Sequence, residues 1–209
     1  MSLLSGHHLS CSKRDRLLFD DISLAVEPSD VLYIRGPNGA GKTSLIRILV
    51  GLSTPDTGSV TYRDNCIRSH YDVFHHHLVY FGHKLGLNTH FSPLENLRHW
   101  CKQHQISVRD DHIVSVLDEL GLVGLETLPV SSLSAGQQRR VALARLWLKN
   151  HADMWVLDEP FTALDVQGIA LLKARLVEHT AKGGGVIMTS HQDLALSIPV
   201  RELALEYRI

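Results

Sequence analysis

Residues 36–43 read GPNGAGKT, entered from the apolar run VLYI and left through SLIRILVGL. The spacing satisfies GxxxxGK[ST] between a strand and a helix, the pattern that wraps backbone amides around nucleotide phosphates. Gly36, Gly39 and Gly41 allow successive N–H groups to turn inward, and Pro37, Asn38 and Ala40 fill the rest of the loop. The N-terminal end of the next helix adds partial positive charge. Lys42 is expected to reach the β- and γ-phosphates, and Thr43 to hold Mg²⁺. The competing reading is a glycine turn ahead of an ordinary helix.

A second set of residues supplies carboxylates. The run MWVLDEP at 154–160 closes an apolar strand with Asp158 and Glu159. Strand ends of this kind face ligands in α/β sheets. Asp158 is expected to hold Mg²⁺ through water. Glu159, sent to the opposite side by strand alternation, is expected to orient or deprotonate an attacking water. Taken alone, an Asp-Glu pair is more often a solvated strand end. His191 closes another apolar strand, GVIMTSH at 185–191, and is assigned to sensing the γ-phosphate and positioning water. His75, His76 and His77 are consecutive and cannot all face one way, so they read as a solvated loop ahead of a metal or haem site. Residues 131–140, SSLSAGQQRR, make a second hydroxyl-rich, glycine-bearing turn that opens a helix.

Short apolar runs at 22–26, 31–35, 60–63, 78–81, 154–157 and 186–189 have the composition of strands. Those at 31–35, 154–157 and 186–189 read as buried parallel strands, and the earlier ones as a smaller antiparallel layer. The stretch 88–133 is rich in helix signals. Ser92, Pro93 and Glu95 stand as N-cap, N1 and N3 of a helix that should run to about His104. Ser107 and Asp110 repeat the pattern. Ile113, Val116, Leu117 and Leu120 then share one helical face, with Gly121 placed to end it. A mixed α/β core with an inserted helical subdomain at 88–133 is expected, within one domain spanning 1–209.

The chain is long enough, at 209 residues, for one such domain with a proper core. Twenty-one Lys and Arg balance 22 Asp and Glu, which gives no reason to expect a nucleic-acid partner. Cys11, Cys66 and Cys101 form no CxxC pair and leave one odd, as reduced packing thiols do. No apolar run approaches the ~20 residues of a membrane span, and the N-terminus does not read as a signal peptide. An intracellular chain that borrows any membrane role from a partner is expected.

With GPNGAGKT, LSAGQ at 133–137, VLDEP at 156–160, ALD at 163–165 and the histidine after the third strand, all in order, the chain resembles the ATP-binding-cassette (ABC) ATPases. The resemblance covers nearly the whole chain. It implies a P-loop NTPase fold with a RecA-like core, a small antiparallel β layer and a helical subdomain. It places Ser134, Gly136 and Gln137 in the signature motif and Asp165 in the D-loop. It also implies two copies packed head to tail, each ATP lying between the phosphate loop of one and the signature of the other. The alanine in LSAGQ, the run LDEPFTALD, the GH in YFGH and the short length are similar to the ATPase subunits of cytochrome c maturation systems. That narrower likeness implies separate hydrophobic membrane subunits, a place on the cytoplasmic face of a bacterial inner membrane, and an indirect link to a periplasmic haem chaperone. A soluble cassette acting on nucleic acid or ribosomes, a transporter subunit for another substrate, and a small P-loop kinase or GTPase are the rivals.

Two positions depart from the family pattern. Lys84 stands where a glutamine usually contacts the Mg²⁺ region, and an ammonium has no lone pair to offer a cation. Hydrolysis is therefore expected to depend less on this loop. At 12–16, SKRDR holds no aromatic to stack on adenine, leaving Arg14 or Arg16 as a guanidinium plane or a solvated turn, and weak discrimination between ATP and GTP is expected. The resemblance further implies that a coupling helix from a membrane subunit docks near 84–100, where His90, Phe91, Leu94, His99 and Trp100 mix apolar and polar surface, some of it subdomain core.

Overall fold

Two long strands, β1 (Leu4–Lys13) and β2 (Arg16–Val26), meet at a turn whose central residues, Arg14 and Asp15, have φ of 51° and 58°. Two left-handed residues in succession match the twist of the flanking strands in a tight hairpin. The computed structural model describes residues 1–190 and 196–207. They divide into two compact units. The first holds Met1–Tyr80, Ala152–Pro160 and the residues from Leu176 onward, and the second holds Phe81–His151 and Phe161–Arg175.

In the first unit, β3 (Val31–Arg35) leads through a loop into α1 (Lys42–Leu49). Leu45, Ile46, Ile48 and Leu49 are buried on that helix, which ends where Gly51 adopts φ 77°. Strands β4 (Thr57–Tyr62) and β5 (Asn65–Cys66) complete a sheet of order β2-β1-β4-β5, with all three strand pairs antiparallel. Gly58 is required there: at φ 89°, a Cβ would lie 2.3 Å from the His7 carbonyl oxygen. Helix α2 (Tyr71–His77) leads into β6 (Leu78–Phe81).

The antiparallel layer was expected to include 78–81. Instead β6 edges the other sheet, beside β7 (Met154–Asp158). Its near-continuous burial, unlike the alternation of a half-solvated strand, marks that location. Strand β1 was not expected, because LSGHHLSCSK has little β-branched content. It forms by pairing with β2 and β4, with register shifts on both sides.

The second unit is helical. Ser92 caps α3 (Pro93–Gln103) in the expected capping box, its hydroxyl accepting from the Glu95 N–H at 3.2 Å while Glu95 accepts from the Ser92 N–H at 2.8 Å. Helix α4 (Asp110–Glu119) begins later than the Ser107 signal suggested, with Arg109 at the cap. Asp110 opens the helix, because its carboxylate pairs bidentately with Arg98 of α3 while lying at the positive end of the dipole. Gly121 ends the helix as expected, at φ 69°, with the Leu122 N–H donating to the Leu117 carbonyl. Helices α5 (Ala135–Leu143) and α6 (Arg145–Leu148) follow. Helix α7 (Val166–Ala181) begins in this unit, and β8 (Gly185–Thr189) and β9 (Arg201–Ala204) belong to the first. The five-stranded sheet runs β6-β7-β8-β3-β9, its β7–β8, β8–β3 and β3–β9 pairs parallel. The carboxyl ends of β3, β7 and β8 therefore come together at one edge.

Candidate functional site

The loop after β3 is forced into shape by its neighbours. Gly36, Gly39 and Gly41 have φ of 150°, 82° and 98°. A Cβ on Gly36 would fall 2.4 Å from the Leu205 carbonyl oxygen, and one on Gly41 would meet Leu18 and Phe19 at 3.1 Å. Pro37, Asn38 and Gly39 are exposed, whereas Ala40 packs inward. Lys42 opens α1 and is 8% exposed. Its ammonium donates to the loop's own carbonyls, Gly36 at 2.6 Å and Pro37 at 3.2 Å. A phosphate entering the loop would compete with those carbonyls for the lysine.

Asp158 ends β7 in register with Thr189 at the end of β8. The Thr189 hydroxyl donates to Asp158 Oδ1 at 2.7 Å, and Thr43, in the first turn of α1, donates to Oδ2 at 3.1 Å. Asp158 is 2% exposed. A buried carboxylate beside a hydroxyl is an all-oxygen donor set that suits a hard cation such as Mg²⁺. Burial, with the Asp158 charge adding to it, pushes the pKa of the Tyr80 phenol above its ordinary value.

Glu159 is not oriented by strand alternation, as the sequence suggested. The strand stops at Asp158, and Glu159 takes φ 54°. Thr189 Oγ1 accepts its N–H at 2.9 Å. A left-handed non-glycine residue costs about 1–3 kcal/mol and persists where its surroundings over-determine it. The turn, and not the pleat, parts Glu159 from Asp158. His191 lies outside the described residues.

In the second unit, Ser134 caps α5 in a reciprocal box with Gln137. The Ser134 side chain is exposed at the helix N-terminus. Gly136 lies against the turn before α7, so that a Cβ would approach the Ala163 carbonyl oxygen to 2.9 Å. Asp165 caps α7 by accepting the Gly168 N–H at 2.8 Å, and its other oxygen accepts from Arg140 at 2.5 Å. Arg140 also donates to the Leu120 carbonyl at 3.2 Å. One arginine thus ties the end of α4, the helix α5 and the turn at 163–165 together.

The ABC transporter family profile matches residues 19–162. The chain belongs to the ABC transporter family. It is an ATP-hydrolysing cassette of that family. It is 50% identical over 204 residues to the cytochrome c biogenesis ATP-binding export protein CcmA of Yersinia pseudotuberculosis, covering 97% of this chain and 93% of that one. It is 43% identical to the protein of that name in Escherichia coli K12, over 93% and 91% of the two chains. Among solved structures, an ATP-binding subunit of an ABC transporter superposes with a TM-score of 0.82 at 23% identity, covering 91% of this chain and 80% of that one. The dimeric post-hydrolysis cassette MJ0796, bound to ADP and Pi, does so at 0.79 and 20% identity, over 99% and 97%. Both share the fold.

Three residues of the cassette carry structural roles that its motifs do not announce. Thr189 clamps Asp158 and the Glu159 backbone, Arg140 holds Asp165, and Tyr207 lies against the phosphate loop. Thr189 was legible only as part of an apolar strand. Arg14 sits in the hairpin turn, and Arg16 stacks its guanidinium 3.8 Å from the Tyr207 ring centroid. Lys84 is exposed, with its neighbours His83 and Gly86. His75, His76 and His77 are in helix α2 and not a loop, with His75 stacked on Tyr71 at 3.9 Å. Among the described residues no group of three His, Cys, Asp or Glu is placed to hold a metal ion. All three cysteines are unpaired by disulfides, and burial pushes the Cys101 thiol up to about 11.

Proposed function

We propose that the chain is the ATPase subunit of a membrane ABC complex for c-type cytochrome biogenesis, its hydrolysis coupled to haem export or to haem release to a periplasmic haem chaperone. The 50% identity to an export protein of that system, over 97% of the chain, is the observation that carries this reading. The subunit would sit on the cytoplasmic face of a bacterial inner membrane, held by separate hydrophobic subunits. No helix among the described residues is long and apolar enough to cross a membrane. A membrane subunit would dock near 84–100, where Lys84, His90 and His99 are exposed and Phe91 stacks on His99 at 5.2 Å.

In the proposed cycle two copies pack head to tail. Each ATP lies between residues 36–43 of one copy and Ser134, Gly136, Gln137 and Asp165 of the other. Lys42 leaves the loop carbonyls for the β- and γ-phosphates, and the exposed N-terminus of α5 offers its positive dipole end across the interface. Thr43 and Asp158 would hold Mg²⁺, which when bound offsets the phosphate charge. Glu159 takes a proton from the water that attacks the γ-phosphorus, and His191 positions that water. The bond from that phosphorus to the β,γ-bridging oxygen breaks with ADP as leaving group, and the dimer reopens as phosphate leaves.

Affinity purification of the Glu159→Gln chain from membranes tests the cellular reading. Hydrophobic partner subunits with bound haem are the expected catch. Ribosomes or RNA in their place would favour the soluble alternative, and membrane subunits without haem a transporter of another substrate. The shared site has its own test. Ser134→Ala is expected to lower hydrolysis roughly 100-fold, as loss of one charge-stabilising donor does, with ATP binding to the monomer nearly unchanged. Gly136→Asp should do at least as much, because its side chain also displaces the Ala163 backbone. Binding losses as severe as that of Lys42→Ala would sink the two-copy reading.

A further inference from the structure

Gly39, at the exposed tip of the phosphate loop, is flanked by side chains from two distant parts of the chain. Strand β9 runs parallel to β3, and the Leu205 N–H donates to the Arg35 carbonyl at 2.8 Å. The segment after β9 therefore follows the strand that enters the loop. It delivers Tyr207, whose Cε2 lies 3.3 Å from where a Cβ on Gly39 would be. The β1–β2 hairpin delivers Arg16, which donates to the Gly39 carbonyl at 3.4 Å and stacks on the Tyr207 ring. The tyrosine remains 51% exposed.

A half-exposed ring backed by a guanidinium is a flat surface held in a fixed plane. It touches a loop built to hold phosphates, so it lies within a sugar's reach of any base attached to them. We infer that Tyr207 is the platform on which the base of the bound nucleotide stacks, with Arg16 as the residue that positions it. The inference rests on the nucleotide reading above and adds to it a contact supplied by the segment after β9. An aromatic face accepts every base, since each has a π-face, and stacking alone does not read the base edge. Adenine and guanine are therefore held alike, which retains the expected weak discrimination between ATP and GTP for a different reason than the lack of an aromatic at 12–16.

Equilibrium binding of ATP, GTP and inorganic tripolyphosphate to the full chain separates base from phosphate. Tyr207→Ala is expected to weaken ATP and GTP about tenfold each, within the range of stacking losses, and to leave tripolyphosphate unchanged. Tyr207→Phe should bind all three as the parent does. Tyr207→Leu, which keeps apolar bulk against Gly39, should lose ATP as the alanine variant does. Unchanged ATP affinity in both the Ala and Leu variants overturns the inference. So does an equal loss for tripolyphosphate, which would make the ring a prop for the loop. If the parent chain binds tripolyphosphate and ATP equally well, base contact is absent. If it binds neither, the nucleotide reading falls first.

Discussion

Glu159→Gln is expected to lower ATP turnover by roughly 10²–10⁴-fold, the usual worth of a positioned general base, while ATP binding is retained. The substitution keeps the size and the hydrogen-bonding reach of the side chain and removes the carboxylate proposed to accept the water's proton. It also keeps the backbone cost. Glu159 sits at φ 54° with its N–H on Thr189 Oγ1, and glutamine meets the same left-handed geometry without a new clash. The fold and the Asp158 clamp should therefore survive. Single-turnover hydrolysis beside equilibrium ATP binding checks this. Turnover within a fewfold of the parent would remove Glu159 from the proposed chemistry.

Lys42→Ala should show the reverse pattern. Hydrogen bonds to charged groups are worth about 1.5–3 kcal/mol, so ATP binding should weaken roughly 10- to 150-fold. Hydrolysis at subsaturating ATP then falls at least in proportion. In the ligand-free chain the ammonium serves the Gly36 and Pro37 carbonyls, and Pro37 is exposed, so water can replace it there. The melting temperature without ATP should change little, whereas the stabilisation that ATP confers on the parent should be largely lost at the same concentration. ATP-induced stabilisation equal to the parent's would place the phosphates elsewhere. Measured together, the two variants separate binding from chemistry on one side of the nucleotide.

Much of the fold was legible because the relevant forces act over a few residues. Ser92, Pro93 and Glu95 specify the start of α3 through hydrogen bonds they make with one another, and Gly121 ends α4 because its own φ allows it. The parallel strands were visible as apolar runs at 31–35, 154–157 and 186–189, since both their faces are buried. Strand β1 was not, because its polar sequence is a strand only where β2 and β4 satisfy its backbone. Ser107 misled for the same reason in reverse. Its cap pattern was outcompeted by Arg98, a residue from another helix that pairs with Asp110.

By itself the sequence determined which residues are proposed to meet a nucleotide. GPNGAGKT, Asp158 with Glu159, and LSAGQ each carry their chemistry in adjacent residue types, and spacing alone places them at strand ends and a helix start. Tertiary structure alone decided how those groups are aimed. Glu159 turns aside because the strand stops one residue earlier, and Thr189, from a neighbouring strand, holds both acids in place. Tyr207 reaches the phosphate loop because β9 lies beside β3. Backbone pairing between distant segments sets such positions, and no local pattern of side chains encodes which strands will become neighbours.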